Sequence, residues 1–346
     1  MYDWPIFNKF GDNFSKIIDL ITSDTKRILI IRLSSLGDIL LTTPLVRSIK
    51  KQFQSITIDY LTTGNFSDTL KYNPYISNLY NFDKGGTNTE LYFKLLKNNY
   101  DLIVDLHNNF RTKAITKKLN VPSARFKKPG VKKFLLVNLK WNLIQNEVQI
   151  PLRYARTLPS VKLDHDGLDF LFESSSNLPE TDERLIGFCP GSKHFTKMWP
   201  VEYFAELGKL LINNGYKIVL LGGNDDKLLC ERLSNEIKGS VNRCNENNLF
   251  ATAKELTACT AVICNDSGLM HLASALKKPV ITIFGSSVRE FGFTPYKTKN
   301  LVLENNSLSC RPCSHIGRKE CPKGHFKCMM EITPQTVYNN LTEFSK

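Results

Sequence analysis

Hydrophobic positions in this chain fall into short continuous runs, each followed by a stretch in which they recur every three or four residues. "RILIIRL" (Arg27 to Leu33) has the length and apolar content of a buried strand, and "PLVRSIKKQF" after it has helical spacing. "SITIDYLT" then predicts a strand, "TELYFKLLKNNY" a helix and "DLIVDLH" a strand. After a linker region around Val148 to Pro179 the alternation restarts with strand "RLIGFCP", helix "VEYFAELGKLLINNG", strand "KIVLLGG" and helix "DDKLLCERLSNEI". "ELTACTAVICNDSG", helix "LMHLASALKK" and strand "PVITIFG" follow. Strand and helix alternate in this way when parallel sheets are covered on both faces. Two such blocks predict two doubly wound α/β domains, residues 1–165 and 180–332, with ligands bound beyond the carboxyl ends of the strands.

At 346 residues the chain is long for one core, in keeping with two domains. No apolar run approaches the roughly 20 residues of a membrane-spanning helix. The N-terminal stretch carries Asp3, Asp12, Asp19 and Asp24 and no continuous apolar segment, so it does not read as a secretory leader and a cytoplasmic location is expected. Residues 1–160 hold 24 Lys and Arg against 12 Asp and Glu, nearly all of the net charge of +13. From Leu106 to Asn146 there is no acidic residue and there are ten basic ones, among them Arg111, Lys113, Arg125, Lys128 and Lys133. That block predicts an anionic partner: nucleic acid, anionic lipid, or a phosphorylated or carboxylated substrate. No nucleic-acid reading motif or stacking-aromatic pattern accompanies it. The plain alternative is a solvated basic face.

Candidate chemistry lies immediately after the predicted strands. "RLSSLGDILLTTP" offers only Gly37 where a dinucleotide fold places three glycines, which argues against a dehydrogenase. Asp38 there is either a helix-start carboxylate or a general base presented at the strand's end. In "CPGSKHFTKMWP", Gly191 and Ser192 suit a backbone nest, and Lys193 or Lys197 suits a phosphate oxygen, unless this is an ordinary loop into a helix. "NDSGLMHLASALKK" places Asp266, Ser267, Gly268 and Leu269 at a helix start suited to a diphosphate. One turn later, His271 is a phosphate ligand or a helix-packing histidine. Gly222 and Gly223 in "LGGNDD" allow a nucleoside to approach, although the residues after them also suit a helix cap. Cys310, Cys313, Cys321 and Cys328, spaced C-x2-C-x7-C-x6-C, are candidates for a structural zinc site or for reduced thiols.

Taken together, "RILIIRLSSLGDILLTTPLVRSIKK", "CPGSKHFTKMWP", "NDSGLMHLASALKKPVITIFGSS", "FGFTPY" and "CRPCSHIGRKECPKGHFKCMMEITPQTV" resemble glycosyltransferase family 9, the bacterial ADP-heptose:lipopolysaccharide heptosyltransferases, over roughly Arg27 to Val337. The resemblance implies the GT-B arrangement, two Rossmann-like domains facing across a cleft. The first would hold an anionic glycolipid acceptor and the second a nucleotide sugar, with the C-terminal helix, about residues 333–346, packing back on the first. It further implies an inverting transferase with no catalytic metal and no cofactor, cytoplasmic and peripheral at the inner face of the inner membrane.

By the same resemblance, Asp38 would be the base that deprotonates the acceptor hydroxyl. Lys197 would neutralise the departing diphosphate, helped by the helix start at Asp266 to Leu269 and by Ser192. The basic block, with Arg111, Lys113 and Arg125, fits an acceptor carrying Kdo carboxylates and lipid A phosphates. Two departures stand out: about 25 residues precede the first strand, and "ILLTTP" lacks a histidine that several heptosyltransferases carry before the threonine. They leave room for another nucleotide sugar used in surface glycan or protein glycosylation. Outside that class, the basic half allows a nucleic-acid- or membrane-surface-binding protein.

Overall fold

The structure is a computed structural model that describes residues 20–144, 149–245 and 247–344. Most of the N-terminal stretch before the first strand therefore lies outside the described residues. The first half of the chain forms β1 (Arg27–Ile31), α1 (Leu36–Leu40), α2 (Thr43–Gln52), β2 (Thr57–Thr62), β3 (Asn78–Asn81), α3 (Thr89–Lys97), β4 (Leu102–Asp105), α4 (Phe110–Leu119), β5 (Ser123–Arg125), α5 (Gly130–Leu139) and α6 (Ile150–Ala155). The second half forms β6 (Asp182–Cys189), α7 (Val201–Asn213), β7 (Lys217–Leu220), α8 (Lys227–Glu236), β8 (Val241–Asn242), α9 (Leu249–Ala258), β9 (Cys259–Asn265), α10 (Gly268–Ala275), β10 (Val280–Phe284), β11 (Asn300–Glu304), α11 (Lys327–Met330) and α12 (Pro334–Phe344).

The strands pair in parallel throughout, in the order β3-β2-β1-β4-β5 in one sheet and β11-β10-β9-β6-β7-β8 in the other. In each sheet the chain order reverses once, between β1 and β4 and between β6 and β9. Loops leaving adjacent strands at such a point diverge to opposite faces and open a crevice, where ligands of doubly wound sheets bind. The register places Ile31 beside Asp105 and Cys189 beside Cys264, so the four loops leaving these strands start level with one another in pairs.

Burial explains the continuous apolar runs. Ile28 to Ile31 in β1 and Val262 to Cys264 in β9 are fully inaccessible, because helices cover both faces of each sheet. A single core cluster joins Ile28, Leu45 and Ile58 of the first sheet region to Met270, Leu272 and Ala273 of α10, so apolar contact continues from one sheet to the other. Arg47 on α2 fixes the segment that leads between them. Only 2% exposed, it donates to Asp164 at 2.6 and 2.8 Å, to the Gly167 carbonyl at 2.8 Å and to Asp169.

One expectation is corrected here. The C-terminal helix α12 packs on α7 of the second domain, not on the first. Val337 and Leu341 are fully buried in the cluster of Trp199, Phe204 and Ile281, and this apolar stripe leaves the helix nothing to bury elsewhere. Of the two readings of the cysteines, the structure places the side chains as reduced thiols. Among the described residues no three His, Cys, Asp or Glu side chains come together as metal ligands. Cys328 is turned into the core next to Met329, while Cys310, Cys313 and Cys321 stay half-buried as free thiols.

Candidate active site

The loop after β1 carries Asp38 in the first turn of α1. Its carboxylate faces Arg32, whose guanidinium lies 2.7 Å away and also donates to the carbonyls of Ser34 and Leu106 at 2.8 Å. The Ser35 hydroxyl donates to the other carboxylate oxygen at 2.8 Å. Burial by itself would raise the Asp38 pKa, but Arg32 and the two Ser35 bonds outweigh it and hold the carboxyl below the ordinary carboxylate range. Asp38 is therefore ionised, and its side chain keeps 21% of its surface open. Arg32 is 8% exposed and has the Tyr154 ring 5.9 Å from its centre, so the charge that holds Asp38 is itself fixed.

The neighbouring loop, after β4, brings His107 to the same place. Asp105 shapes this turn by accepting from the backbone N–H groups of His107 and Asn108 at 3.1 and 2.8 Å. Burial, with Arg32 and Lys128 nearby, lowers the His107 pKa to about 4, so its ring is neutral. Its Nδ1 is buried and has no partner among the described residues. Lys133 comes in from α5. Burial and the adjacent Arg153 lower its pKa to about 8, against the pull of Asp38, and Lys197 of the second domain also acts on it. Its ammonium lies 5.5 Å from the ring centres of Phe291 and Phe293.

Across from these groups stand the loops after β6 and β9. Lys197 pairs with Asp266 at 2.7 Å, and the Ser287 hydroxyl donates to the same carboxylate oxygen at 2.6 Å. Burial opposes the charge on Asp266, but Lys197 and Ser287 keep its pKa below the ordinary value. The loop holding Lys197 is tied down by Asn265, which accepts from the Trp199 N–H at 3.0 Å and donates to the Pro190 carbonyl at 2.6 Å. Ser267 precedes α10, and its hydroxyl oxygen is buried without a partner among the described residues. The same holds for Nδ1 of His271, one turn on, whose pKa burial lowers to about 4. A buried polar atom gains about 1–3 kcal/mol when it is paired, so Ser267 and His271 are groups able to bond a ligand at the start of α10.

The two halves touch at α1 and α10. A Cβ on Gly37 would fall well under 3.0 Å from Cδ2 of His271 and 3.3 Å from its Cγ and Nε2, so the ring lies directly on the glycine. Reciprocally, Leu36 packs over Gly268, where a Cβ would meet it at 3.2 Å. The glycine before Asp38 thus serves as a contact between domains. Asp38, Asp266 and Lys197 all lie close enough to the His271 ring to act on its charge.

The remaining sequence candidates spread more widely. Ser192 is half-buried on the loop after β6, and Leu269 packs against the shared core. The bare surfaces of Gly222 and Gly223 are used by this chain itself: Asp226 fills the position of a Cβ on Gly222 at 2.6 Å, and Asn247 fills that on Gly223 at 2.5 Å. Arg111 lies over the Phe110 ring at 4.6 Å and Lys113 is exposed. Arg125 is bonded to Thr116 at 2.5 Å and lies 3.8 Å from Asp105. Arg32 and His107 were not singled out by sequence, and Lys133 was named only as one of ten basic residues. Arg32 follows the apolar run of β1, three residues before the Ser-Leu-Gly-Asp turn.

A sequence profile of glycosyltransferase family 9 (heptosyltransferase) matches residues 89–323. The chain is 28% identical over 345 residues to lipopolysaccharide heptosyltransferase 2 of Salmonella typhimurium, covering 91% of this chain and 97% of that one. It is 26% identical over 347 residues to lipooligosaccharide heptosyltransferase 2 of Haemophilus ducreyi, covering 92% and 99%. Two solved structures agree in fold. A family 9 glycosyl transferase from Veillonella parvula superposes with a TM-score of 0.75 at 23% identity, covering 94% and 98% of the chains. ADP-heptose LPS heptosyltransferase II of E. coli superposes with a TM-score of 0.69 at 22% identity, covering 92% and 98%.

Proposed function

The chain belongs to glycosyltransferase family 9 and is a glycosyltransferase; from that premise we propose that it moves a heptose from ADP-heptose to the inner core of a lipopolysaccharide, with inversion at the anomeric carbon. The observation that carries the reading is the opposition of two charge states across one cleft: an ionised, partly open carboxylate at Asp38, and a cation with unpaired polar atoms at Lys197, Ser267 and His271. A displacement at an anomeric centre needs this arrangement. Asp38 takes the proton of the acceptor hydroxyl as its oxygen bonds to the anomeric carbon. The bond to the diphosphate breaks on the opposite face, and negative charge gathers on the leaving oxygen.

Lys197, the Ser267 hydroxyl, the His271 ring and the N–H groups at the start of α10 meet that charge. The Lys197–Asp266 pair keeps the ammonium in place before the donor arrives, at a point from which a phosphate oxygen exchanges with the carboxylate. Ser192, Asp266, Gly268 and Leu269 complete the proposed donor side, with the nucleoside toward the loop of Gly222 and Gly223, where it meets the Asp226 and Asn247 side chains that cover the two glycines. On the acceptor side, Arg111, Lys113 and Arg125 belong to the basic stretch at the carboxyl ends of β4 and β5, which suits carboxylates and phosphates of a glycolipid. Such an acceptor is lipid-linked, so the enzyme works at the inner face of the inner membrane. Among the described residues no helix is long and apolar enough to cross a membrane, and the association proposed is peripheral.

The test is transfer from ADP-heptose to purified Kdo-bearing lipid A, followed by mass spectrometry, wild type beside Asp38→Asn. Asparagine keeps the shape beside Arg32, whereas alanine would leave that buried guanidinium without its partner. A heptose-sized mass gain with wild type alone supports donor, acceptor and base together. No gain, with ADP still bound, moves the search to other nucleotide sugars.

A further inference from the structure

Large apolar side chains exposed one at a time are ordinary on a protein surface. Residues 131–143 depart from that: Val131, Phe134, Leu139, Trp141 and Leu143 are each between 50% and 75% exposed within one short segment. Val131, Phe134 and Asn138, at spacings of three and four, share one face of α5. The side-chain amide of Asn138 is turned back onto the Phe134 carbonyl, its Nδ2 donating at 2.9 Å. The opposite side of the helix is satisfied, since Leu136 and Ile144 are buried against Val288 and Phe291 of the second domain. Helix α5 thus buries one apolar side and leaves a second apolar strip open, its polar residues being Lys132, Lys133 and Asn138.

Charge decides what would cover it. The segment lies within the stretch from Leu106 to Asn146 that has ten basic residues and no acidic one. Phe110, 71% exposed, opens α4 in the same stretch, and the loops before α4 and α5 are joined by Lys128, whose ammonium donates to the Asn108 carbonyl at 3.0 Å. An apolar strip holding a tryptophan and flanked by lysines suits an interface between hydrocarbon and anionic headgroups, where aromatic rings and cations each find their medium. The end of the helix is anchored by Lys140, which donates to the carbonyls of Cys310 and Pro312 at 3.0 and 2.7 Å.

We infer that residues 131–143 form the element that docks this enzyme on an anionic bilayer, with Phe134 and Trp141 inserted at headgroup depth. The inference rests on the lipid-linked acceptor of the proposed reaction and adds the contact that brings the enzyme to it. The same helix carries Lys133, whose ammonium lies 5.5 Å from the ring centres of Phe291 and Phe293 of the second domain.

The experiment is flotation of the full chain with vesicles of phosphatidylethanolamine and phosphatidylglycerol that contain no acceptor, alongside transfer to detergent-dispersed acceptor. Wild type should float, with Trp141 emission, isolated as the difference from W141F, shifted to the blue. The double variant F134E/W141E should lose at least about tenfold in partitioning, equivalent to about 1.4 kcal/mol, while its transfer rate in detergent is unchanged. Flotation of the double variant equal to wild type overturns the docking element and leaves the transfer reading intact. Equal flotation on neutral phosphatidylcholine overturns the role of charge. Wild type that floats with neither vesicle also overturns the inference and returns the exposed face to a protein partner. Absence of transfer in detergent by wild type counts against the reaction alone.

Discussion

Replacing Gly37 by alanine adds a single methyl group at the contact between α1 and α10, and the structure indicates what it would displace. The new Cβ would sit about 1 Å closer to Cδ2 of His271 than ordinary van der Waals separation, which begins near 3.4 Å. Neither side yields easily. Ile39 and Leu40 of α1 are fully buried, as are Met270 and Leu272 on either side of His271. Overpacking of this kind costs about 1–3 kcal/mol, so the variant remains folded. Its damage falls on geometry, because the next residue is Asp38 and the displaced ring belongs to the proposed diphosphate site. A misplacement of about 1 Å in a reacting constellation costs on the order of 10²-fold in rate. Steady-state transfer should show that loss in kcat/KM, with urea unfolding confirming a folded protein. In an H271A background, where the ring is gone, the same Gly37→Ala change should cost less than about threefold, the signature of two residues in contact. A G37A enzyme with wild-type kcat/KM, or one equally damaged with and without His271, would refute the reasoning.

Lys197→Gln should lower kcat by about 10²–10³-fold, the usual cost of removing one group that stabilises developing charge, and raise the KM for the donor; an unchanged donor dependence removes Lys197 from the leaving-group role. Arg47→Met should destabilise the protein by about 3–5 kcal/mol in urea unfolding, since it leaves the half-buried Asp169 without its cation and Asp164 with Lys51 alone; because the bonds of Arg47 run to Asp164, Gly167 and Asp169, loss of kcat at low temperature without loss of stability would contradict its structural role. The pH profile of kcat/KM should be flat from about 5 to 7, because His107 and His271 titrate near 4 and Asp38 lower still. Above pH 8 it should fall as Lys133 loses its proton, and an anionic substrate bound beside Lys133 should take up a proton in that range. A K133M enzyme that keeps the alkaline fall assigns it to another group.

Much of this was legible from the chain because the residues proposed to react lie on the loops that follow buried strands. Apolar runs such as Ile28 to Ile31 mark strands covered on both faces, and the polar residues interrupting them mark the carboxyl ends where ligands bind. Asp38, Lys197 and Asp266 were found that way. The short edge strands were not. Asn78–Asn81, Ser123–Arg125 and Val241–Asn242 are half-open and carry no continuous apolar run, so their strand character comes from pairing with a neighbour. Arg32 was hidden for a different reason: inside an apolar run it reads as an interruption, and only the approach of the Leu106 carbonyl shows that its charge is housed. His107 and Lys133 reach Asp38 from separate elements, and periodicity carries no information about such convergence. The contact of Gly37 with His271 is of the same kind, since each residue alone looked like a local turn or packing position.

The environment of Asp38 also bears on how the proposed reaction divides its work. A general base is most effective when its pKa lies near the working pH, and Arg32 holds Asp38 well away from that point. Arg32 is not free to release it, being buried and bonded to two backbone carbonyls. Asp38 is thus always charged and only weakly basic. Such a carboxylate takes a proton from a hydroxyl only once that oxygen has become acidic, which happens as it shares its electrons with the anomeric carbon. Proton transfer then follows bond formation, and the base acts mainly by orienting the hydroxyl and receiving its proton late. The larger electrostatic task falls to the other side of the cleft, where charge appears on the departing diphosphate. That side holds the cation, the unpaired Ser267 and His271 atoms and the start of an eight-residue helix. The fold meets the two demands separately: one switch point keeps a carboxylate ionised, and the other gathers a cation, a hydroxyl and a helix start where the proposed reaction develops negative charge.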